Sequence, residues 1–430
     1  MEQKNETKHI RLYERLKKEI ENGTLRQGEK LLSRRRMAQR AHVSTITVEH
    51  AYVLLEEEGL IRAKDRSGYY VANQKKQPEG ASMKKELLSF SNDYMKGAHP
   101  AVMKKLLETN LEKTSGYGLD PYCESAKKKI QKACGCKDAH VAFLVGGTQT
   151  NATVIDAFLR PYQGVIAAET GHISVHEAGA IEAGGHKVLT VPHKNGKIDA
   201  ATVKSYMMNH FNDETHEHMV APGMLYISHP TEYGTLYRKK ELAALRAVCD
   251  EYHIPLYLDG ARLAYALACP ENNVTLKDLA KYCDAFYIGG TKCGAMFGEA
   301  VVIPDPSVFS GFFTIVKQHG ALLAKGRLLG LQFDTMFTDD LYLHIGETAI
   351  RAADRIRKAL QENGYRLCFD SPTNQVFCVM ENKRLKKIGK YVNYGFWEIF
   401  DDAHTIIRFA TDWGTTDEEV DELIDILQTA

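Results

Sequence analysis

The chain has 430 residues, of which 44% are hydrophobic and 26% are charged, and its formal net charge at pH 7 is zero. This composition is typical of a soluble globular protein rather than a disordered one, and the length predicts two or three domains. A neutral total neither supports nor excludes nucleic-acid binding, because a basic patch can lie within it.

The sequence carries no signal for export or membrane insertion. The first residues are charged throughout, unlike a signal peptide, and no apolar run approaches the roughly 20 residues that span a bilayer. Nine scattered cysteines without a C-x-x-C pair are typical of free thiols in a reducing compartment rather than of a zinc site. We therefore expect a cytoplasmic protein with no membrane partner.

Residues 1–74 have the pattern of three helices followed by a β-hairpin. The stretch IRLYERLKKEIENG has apolar residues at helical spacing, and two later helices open with Ser33 and Ser44, which suit amino-terminal caps. Residues 41–43 between those helices have about the length of the turn in a helix-turn-helix motif. The hairpin around residues 65–68 predicts a wing.

Basic residues are concentrated where DNA would contact this unit. They are Lys30, Arg34, Arg35, Arg36, Arg40, Arg62, Lys64 and Arg66. Because phosphate neutralisation dominates DNA affinity, their clustering indicates a DNA-binding surface. The alternative is a solvated helical face on a dimerisation module.

The stretch LLSRRRMAQRAHVSTITVEHAYVLLEEEGLIRAKDRSGYYV resembles the winged helix of GntR-type bacterial regulators. The resemblance implies that residues 1–74 bind double-stranded DNA and that five residues form the contact surface and wing tip: Ser33, Arg35, Ser44, Thr47 and Gly68. The family usually has a proline, an arginine and a glycine where this chain has Leu32, Thr45 and Arg66. These departures leave the operator sequence open.

The composition changes after the amino-terminal unit. Residues 75–86 contain Pro78 and Gly80, many charges and almost no large apolar side chain, which is typical of a linker. From 87 to 335, short apolar runs alternate with amphipathic segments, which predicts βαβ units and a mainly parallel sheet. Residues 336–430 mix helices with short strands and predict a smaller α+β domain. The predicted fold class is α/β, preceded by the winged helix-turn-helix.

The stretch IPLYLDGARLAYALA ends an apolar strand on Asp259 and places Arg262 three residues later. A buried carboxylate is costly unless something pairs with it, so either a protein group or a bound molecule neutralises Asp259. One such molecule is pyridoxal phosphate, whose pyridine nitrogen must stay protonated to accept electrons. A structural ion pair between Asp259 and Arg262 is the alternative.

The sequence also offers the lysine and the phosphate site that this cofactor requires. Lys292, in FYIGGTKCGAMFG, comes one strand-helix-strand step after Asp259, so both side chains would reach the same edge of a parallel sheet. In FLVGGTQTNATVIDAFL, a glycine pair and Thr148 open a helix, where free amides can bind phosphate. Each pattern alone has a plainer interpretation, a surface lysine or a tight turn. Together they favour the cofactor.

From about Leu87 onward the chain resembles the threonine aldolase and β-eliminating lyase branch of fold-type I pyridoxal phosphate enzymes. The matching stretches include VGGTQTN, ETGHISVHEAGA, YLDGARL, GGTKCGAMFGEAVVIP and IRFATDWGTT. The resemblance implies a fold-type I transferase-like fold, a homodimer or homotetramer, and an amino acid as the small-molecule substrate.

The resemblance also implies a role for each matching residue. Lys292 would form the Schiff base with the cofactor, Asp259 would pair with its ring nitrogen, and Arg262 would lie near its ring hydroxyl. Gly147 and Thr148 would bind its phosphate, and His172 would stack on its ring. Asn92 and Asp93 would line the substrate pocket, and Arg408 would hold the substrate carboxylate as a bidentate fork. We expect no metal, because the cluster at residues 216–218 lacks a third ligand and is typical of a solvated loop.

Glu232, in HPTEYG, stands where many threonine aldolases have a histidine beside the substrate hydroxyl, and His229 lies three residues earlier. The base that takes the β-hydroxyl proton is therefore Glu232, His229 or an ordered water. The expected reaction is cleavage of a β-hydroxy-α-amino acid to glycine and an aldehyde by a lyase that depends on pyridoxal phosphate. The alternatives are a GntR-type transcription regulator whose aldolase-like domain senses an amino acid or the cofactor, and a cofactor-free scaffold.

Overall fold

The computed structural model describes residues 8–64, 67–72, 87–308 and 311–429. They form two compact units, one within Met1–Glu86 and one within Leu87–Ala430. The predicted linker, 75–86, and Arg66 of the predicted wing lie outside the described residues. No helix in the described part of the chain is long and apolar enough to cross a membrane.

The amino-terminal unit contains the three helices and the hairpin that its sequence predicts. Its elements are α1 (Lys8–Glu21), α2 (Arg34–Ala41), α3 (Thr45–Glu57), β1 (Ile61–Lys64) and β2 (Gly68–Val71). Ser33 Oγ accepts a hydrogen bond from the Arg36 amide at 3.4 Å, and Ser44 Oγ accepts one from the Thr47 amide at 3.1 Å. Both predicted serine caps are therefore confirmed.

A small core holds this unit together. Its fully buried side chains, all from α1, α3 and the hairpin, include Leu16, Val48, Tyr52, Leu55 and Ile61. Tyr52 Oη donates a hydrogen bond to the carbonyl of residue 32 at 2.7 Å, which ties α3 to the segment before α2. The residue after α2 is in the left-handed conformation and turns the chain towards α3.

The second unit is built from two sheets and the helices that cover them. Its strands are β3 (Leu88–Phe90), β4 (His140–Leu144), β5 (Gln163–Ala168), β6 (Val188–Val191), β7 (Ala221–Ser228), β8 (Leu256–Asp259), β9 (Ala285–Gly289), β10 (Glu299–Ile303), β11 (Arg366–Leu367), β12 (Gln375–Glu381), β13 (Val392–Ile399) and β14 (His404–Ala410). Its α-helices are α4 (Pro100–Thr109), α5 (Pro121–Cys134), α6 (Gly147–Phe158), α7 (His172–Val175), α8 (Ala180–Ala183), α9 (Ala200–Asn212), α10 (Lys239–Glu251), α11 (Leu263–Ala268), α12 (Leu276–Tyr282), α13 (Phe312–Gln318), α14 (Arg327–Met336), α15 (Leu341–His344), α16 (Glu347–Glu362), α17 (Asn382–Ile388) and α18 (Asp417–Thr429).

The large sheet has seven strands in the order β4-β10-β9-β8-β7-β5-β6. Strands β5 to β9 pair in parallel, which confirms the predicted mainly parallel sheet. Strand β10 is antiparallel to both of its neighbours. The reason is local: residues 290–298 join β9 to β10 directly and are too few for the crossover that a parallel pair requires.

Parallel strands bring the functional residues to one edge of this sheet. All four residues of β8 are buried, as expected for a strand covered by helices on both faces. Ser228, the last residue of β7, lies opposite Asp259, the last residue of β8. The turn that carries Lys292 begins where neighbouring β9 ends, at the same edge.

The small sheet has five strands in the order β11-β12-β14-β13-β3 and packs on α16 and α18. Strand β3 pairs in parallel with β13, so the first residues of the predicted large domain contribute a strand to the smaller sheet. Conversely, Tyr342, Ile345 and Ala349 pack in the core of the large sheet, beyond the predicted boundary at residue 335. The subdivision of 87–430 into two domains stays a prediction.

Candidate active site

A cavity of about 290 Å³ lies at the carboxyl edge of the large sheet. Strands β7, β8 and β10, the turn after β9 and the start of α6 all contribute to its walls. Its polar side chains are Tyr94, Thr148, His172, Ser228, Glu232, Asp259, Arg262, Tyr287, Thr291, Lys292 and Glu299. The structure therefore brings most of the residues singled out in the sequence into one cavity.

Asp259 is a buried carboxylate held by four hydrogen-bond donors. Its Oδ1 accepts from the backbone amide two residues later at 2.9 Å and from Tyr287 Oη at 2.5 Å. Its Oδ2 accepts from Tyr226 Oη at 2.7 Å and from Asn151 Nδ2 at 3.0 Å. Burial alone raises the pKa of Asp259, but the electrostatic effect of His172 and these hydrogen bonds outweigh burial and lower the pKa. Asp259 is therefore ionised at neutral pH.

Lys292 lies on a closed turn between β9 and β10. The amides of Gly290 and Thr291 both donate to the carbonyl of Gly298, at 3.0 and 3.1 Å. Burial lowers the pKa of Lys292, and the positive charge of Arg262 lowers it further, against the opposing effect of nearby carboxylates. A lysine with a lowered pKa is a better nucleophile at neutral pH.

The amino terminus of α6 faces the cavity without a side-chain cap. Its N-cap is Gly146, and helical geometry leaves the first amides of the helix unpaired. A Cβ on Gly147 would lie 3.2 Å from Tyr287 Oη, so glycine keeps this wall open to a ligand. With the Thr148 hydroxyl beside these amides, the helix terminus is suited to bind a phosphate group.

A chain of hydrogen bonds runs from the cavity wall to Asp259. His172 Nδ1 lies 2.7 Å from Glu177 Oε1, and Glu177 Oε1 also accepts from Asn151 Nδ2 at 2.8 Å. Tyr257 Oη donates to Asn151 Oδ1 at 2.8 Å and fixes the amide orientation. Because the Glu177 side chain is fully buried while that of His172 is 33% exposed, Glu177 anchors the imidazole at the edge of the cavity.

Glu232 is held by Ser228 and by the backbone of His172. Its Oε1 accepts from Ser228 Oγ at 2.7 Å and from the backbone amide of His172 at 2.9 Å. Burial raises the pKa of Glu232, and the negative charge of Asp259 adds to this effect, although the Ser228 hydrogen bond opposes it. Glu232 therefore exchanges a proton closer to neutral pH than an ordinary carboxyl group does.

Both units resemble known protein families. The family model described as beta-eliminating lyase matches residues 90–374, more than half of the chain. The chain belongs to the beta-eliminating lyase family. The model described as bacterial regulatory proteins, gntR family, matches residues 9–71. Both resemblances drawn from the sequence are therefore confirmed.

Individual relatives agree with this assignment. A solved structure of Leishmania major threonine aldolase is 41% identical, covers 79% of this chain and 98% of its own, and superposes with a TM-score of 0.77. The low specificity L-threonine aldolase of Pseudomonas aeruginosa is 28% identical over 340 residues, which are 78% of this chain and 95% of that protein. The uncharacterized HTH-type transcriptional regulator YjiR of Escherichia coli is 46% identical over 72 residues, 17% of this chain and 15% of that protein. The lyase-family unit has the predicted fold-type I fold.

In the lyase-family site, the ion pair of Arg262 is formed with Asp93. Arg262 Nε and Nη2 donate to the two Asp93 carboxylate oxygens at 2.7 and 2.9 Å, and Asn374 Nδ2 adds a third bond at 2.9 Å. Asp93 lies behind Arg262 and is not among the residues that line the cavity. The pair between Asp259 and Arg262 that the sequence left open is not formed.

We expect Asp93→Asn to lower the free energy of unfolding by about 3 kcal/mol, because the Arg262 charge would stay buried without a counterion. Burial raises the pKa of Asp93, but the charges of Arg262 and Lys292 outweigh it and lower the pKa to about 2. The ion pair therefore stabilises the fold fully above about pH 4, and this contribution is lost as the pH falls through about 2. Urea unfolding at pH 7 measures the loss. The exposed Asp425 on α18 provides the control variant Asp425→Asn, for which we expect a change below about 0.5 kcal/mol.

All three predicted substrate-binding residues lie outside the cavity lining: Asp93, described above, and also Arg408 and Asn92. Arg408, on β14, donates from Nη1 to Gln375 Oε1 and from Nη2 to the Ser91 carbonyl, both at 2.9 Å. Burial and the charge of Arg262 lower the pKa of Arg408 to about 10, so it is still cationic at neutral pH. Asn92 uses its side-chain oxygen to accept from the amide two residues later and so shapes the backbone before Tyr94, a residue of the cavity wall.

His229 also lies outside the cavity lining, in contrast to Glu232. Its ring is fully buried, its Nδ1 accepts from the Tyr237 amide at 3.3 Å, and its Nε2 has no partner among the described residues. Burial lowers the pKa of His229 to about 4. Of the two protein bases considered from the sequence, only Glu232 therefore faces the cavity.

Five further residues of this site were not singled out from the sequence. They are Asn151, Glu177, Tyr226, Tyr287 and Glu299. Asn151 is buried on α6, and Glu177 is buried in the loop between α7 and α8. Tyr226, Tyr287 and Glu299 lie in otherwise apolar buried strands, where a polar side chain must find a partner. That signal was present in the sequence, although the partner of each could not be deduced from it.

The predicted DNA-contact residues of the gntR-type unit are mostly accessible. Ser33, Arg35, Ser44 and Gly68 are exposed, and Thr47 is half-buried because its hydroxyl contacts the Ser44 cap at 2.8 Å. Within the basic cluster, Arg34 pairs with Glu49 of α3. Lys30, from the segment before α2, and Lys64, at the end of β1, lie 5.7 and 4.5 Å from the ring centroid of Tyr70. No group of three or more potential metal ligands is found in the described ranges, at residues 216–218 or elsewhere.

Proposed function

We propose that this chain is a lyase that depends on pyridoxal phosphate and cleaves a β-hydroxy-α-amino acid to glycine and an aldehyde. One observation carries the proposal: an ionised buried carboxylate, Asp259, and a lysine of lowered pKa, Lys292, line the same cavity. The similarity to L-threonine aldolases supports the substrate class. Nine free cysteine thiols support the cytoplasm as its compartment.

The hydrogen-bonding groups around the cavity fit pyridoxal phosphate at both of its ends. The free amides of α6 and the Thr148 hydroxyl suit a phosphate, and ionised Asp259 suits a protonated ring nitrogen. Asp259 already accepts four hydrogen bonds, but two come from tyrosine hydroxyls, whose hydrogens can rotate away. The carboxylate can therefore exchange one tyrosine donor for a ring N–H. The volume, 290 Å³, is close to the lower limit of about 300 Å³ for ligand pockets.

The residues around the cavity divide the chemistry among them. When bound, the cofactor supplies an electron sink for cleavage of the Cα–Cβ bond. Asp259 holds the proton on the ring nitrogen, and Lys292 provides the anchoring amine. Arg262, which would lie near the ring hydroxyl, stays cationic because Asp93 compensates its charge. Arg408 is the proposed carboxylate ligand, using the guanidinium hydrogens that its protein partners leave free.

Glu232 is the proposed base for the substrate hydroxyl proton. We expect Glu232→Gln to lower kcat by about 10²- to 10⁴-fold. A base must be ionised to act, so wild-type kcat should fall as the pH drops through the raised pKa of Glu232, and the variant should lack this acidic limb. A pH–rate profile measures both effects. The exposed, ion-paired Glu251 on α10 gives the control variant Glu251→Gln, which should keep the wild-type profile.

Turnover of a small amino-acid panel tests the proposed reaction. Purified protein with pyridoxal phosphate should release glycine from threonine, from its diastereomer, or from serine. If the protein binds the cofactor but releases glycine from none of the three, the aldolase-like unit is a sensor, and the regulator alternative replaces the enzyme.

DNA binding is the second proposed function, and the capped helix-turn-helix with its exposed cations supports it. We expect Arg35→Ala to weaken binding to all sequences similarly and to reduce the slope of log K against log salt by about 1. Fluorescence anisotropy with a fragment of the chain's own promoter region, with and without pyridoxal phosphate, measures this. Arg15 on α1 lies outside the motif and pairs with Glu19, so Arg15→Ala is the matched control. An unchanged slope for Arg35→Ala would remove Arg35 from the phosphate contacts.

We further propose a homodimer or homotetramer. A two-fold pair of winged helices matches palindromic half-sites, and fold-type I resemblance implies the same symmetry. Light scattering of the purified chain distinguishes these states from a monomer.

A further inference from the structure

Glu299 is a buried carboxyl group in the candidate active site to which the reaction outlined above gives no role. It opens β10, is 3% exposed, and lines the cavity together with Lys292. Its Oε2 accepts from the Gly290 amide at 2.9 Å, and its Oε1 accepts from the Thr291 hydroxyl at 2.8 Å. Both oxygens therefore bind the two residues that directly precede Lys292.

The turn that carries Lys292 depends on these two bonds. Thr291 Oγ1 also accepts from the Gly298 amide at 3.0 Å, next to the two backbone bonds that close the turn. A Cβ on Gly290 would lie 2.6 Å from the Gly298 carbonyl oxygen, so the two ends of the turn are already in close contact. Glu299 thus holds the base of the loop at the two residues that directly precede Lys292, and a displaced carboxyl group would displace the amine.

A neutral side chain could also hold this turn, so hydrogen bonding alone does not account for a carboxyl group at this buried position. Burial raises the pKa of Glu299 to about 8, and Asp259 raises it, whereas its hydrogen bonds and the charge of Lys292 lower it. The other titratable groups that interact with Glu299 are Tyr257, Tyr287, Cys293 and Tyr342. Arg262 and Asp93 act with it on Lys292.

We propose that Glu299 is a positioning residue for Lys292, which holds the amine in the cavity through the turn at Gly290 and Thr291 and controls, by its own charge, how readily that amine loses a proton. A proton that leaves the Lys292 ammonium and is taken up by the Glu299 carboxylate leaves a neutral amine and a neutral acid, so the net charge of the cavity does not change. This proposal rests on the proposed role of Lys292 as the amine that binds the cofactor.

Competitive labelling of the full-length, cofactor-free protein tests the proposal without an activity assay. Limiting acetic anhydride is added between pH 6 and 10, and acetylation of Lys292 is quantified by peptide mass spectrometry as a measure of the neutral amine. In the wild type, labelling should rise less steeply above pH 8, because Glu299 ionises there and then favours the ammonium form. In Glu299→Gln, which keeps the shape, can still accept from the Gly290 amide and can donate to Thr291 Oγ1, the profile should move to lower pH and have a single inflection.

The controls separate charge from structure. Glu241→Gln, on α10 and paired with Lys197 outside this cavity, should give the wild-type profile. A Glu299→Gln profile identical to the wild type would overturn the proposal, as would a wild-type profile with no change of slope anywhere between pH 6 and 10. The wild-type result decides the matter even if Glu299→Gln does not fold by circular dichroism. Failure of the proposed function would look different: wild-type protein would then show no new visible absorbance band on addition of pyridoxal phosphate.

Discussion

Replacement of Lys292 by alanine is expected to lower kcat on the order of 10⁴-fold or more. It should also abolish the absorbance band near the visible edge that pyridoxal phosphate gives with the wild type and that borohydride removes. Lys292 contributes the only lysine amine in the described lining of the cavity, so no other amine can replace it there. The bonds that close the turn come from the backbone, Thr291 and Glu299, so the fold should survive the substitution.

Glycine release and the absorbance spectrum measure the two effects of Lys292→Ala. The matched control is Lys104→Ala on α4, where the lysine side chain is 77% exposed, and this variant should keep both the band and the rate. A Lys292→Ala variant that retains the borohydride-sensitive band would show that a lysine elsewhere binds the cofactor.

Asp259→Asn is expected to lower kcat by about 10²- to 10³-fold, because the amide keeps the size of the side chain but removes the charge that holds the proton on the ring nitrogen. It also turns one acceptor into a donor that faces either Tyr287 and a backbone amide or Tyr226 and Asn151, so stability should fall by about 1–3 kcal/mol. Steady-state kinetics and urea unfolding measure the two losses separately.

Tyr226→Phe distinguishes the charge of Asp259 from its hydrogen bonds. This variant removes one donor but leaves the carboxylate ionised through Tyr287 and the backbone amide, so its loss in kcat should be much smaller than that of Asp259→Asn. Equal rates for Asp259→Asn and the wild type would contradict the proposed electrostatic role.

The parts of the site that follow from local chemistry or sheet geometry could be predicted from the sequence. Ser33 and Ser44 cap helices because the cap bond joins residues three positions apart. Asp259 and Lys292 meet because adjacent parallel strands end at one edge of the sheet. Neither inference required knowledge of distant contacts.

The pairing of buried charges could not be predicted in this way. Proximity in sequence offered Asp259 as an alternative partner of Arg262, yet Arg262 pairs with Asp93, which is 169 positions away. Two tyrosines and Asn151, each from a different element, satisfy Asp259 instead. A list of polar residues cannot distinguish such pairings, because they depend on where separate elements end in space.

The orientation of a side chain also could not be predicted from the sequence. His229 and Glu232 are near neighbours in one loop, but only Glu232 lines the cavity. The His229 ring is buried away from it and accepts a hydrogen bond from the Tyr237 amide. The apolar pattern of β10 is likewise the same for a parallel and an antiparallel strand, and only the short connection 290–298 indicates its direction.

Peptide mapping after borohydride reduction tests most directly whether Lys292 is the amine that binds the cofactor. Wild-type protein is loaded with pyridoxal phosphate, reduced, digested and analysed by mass spectrometry. We predict a single phosphopyridoxyl group on the peptide that contains Lys292, in near-stoichiometric yield. A modification at another lysine, or one spread over surface lysines with Lys292 unmodified, would contradict the proposed site.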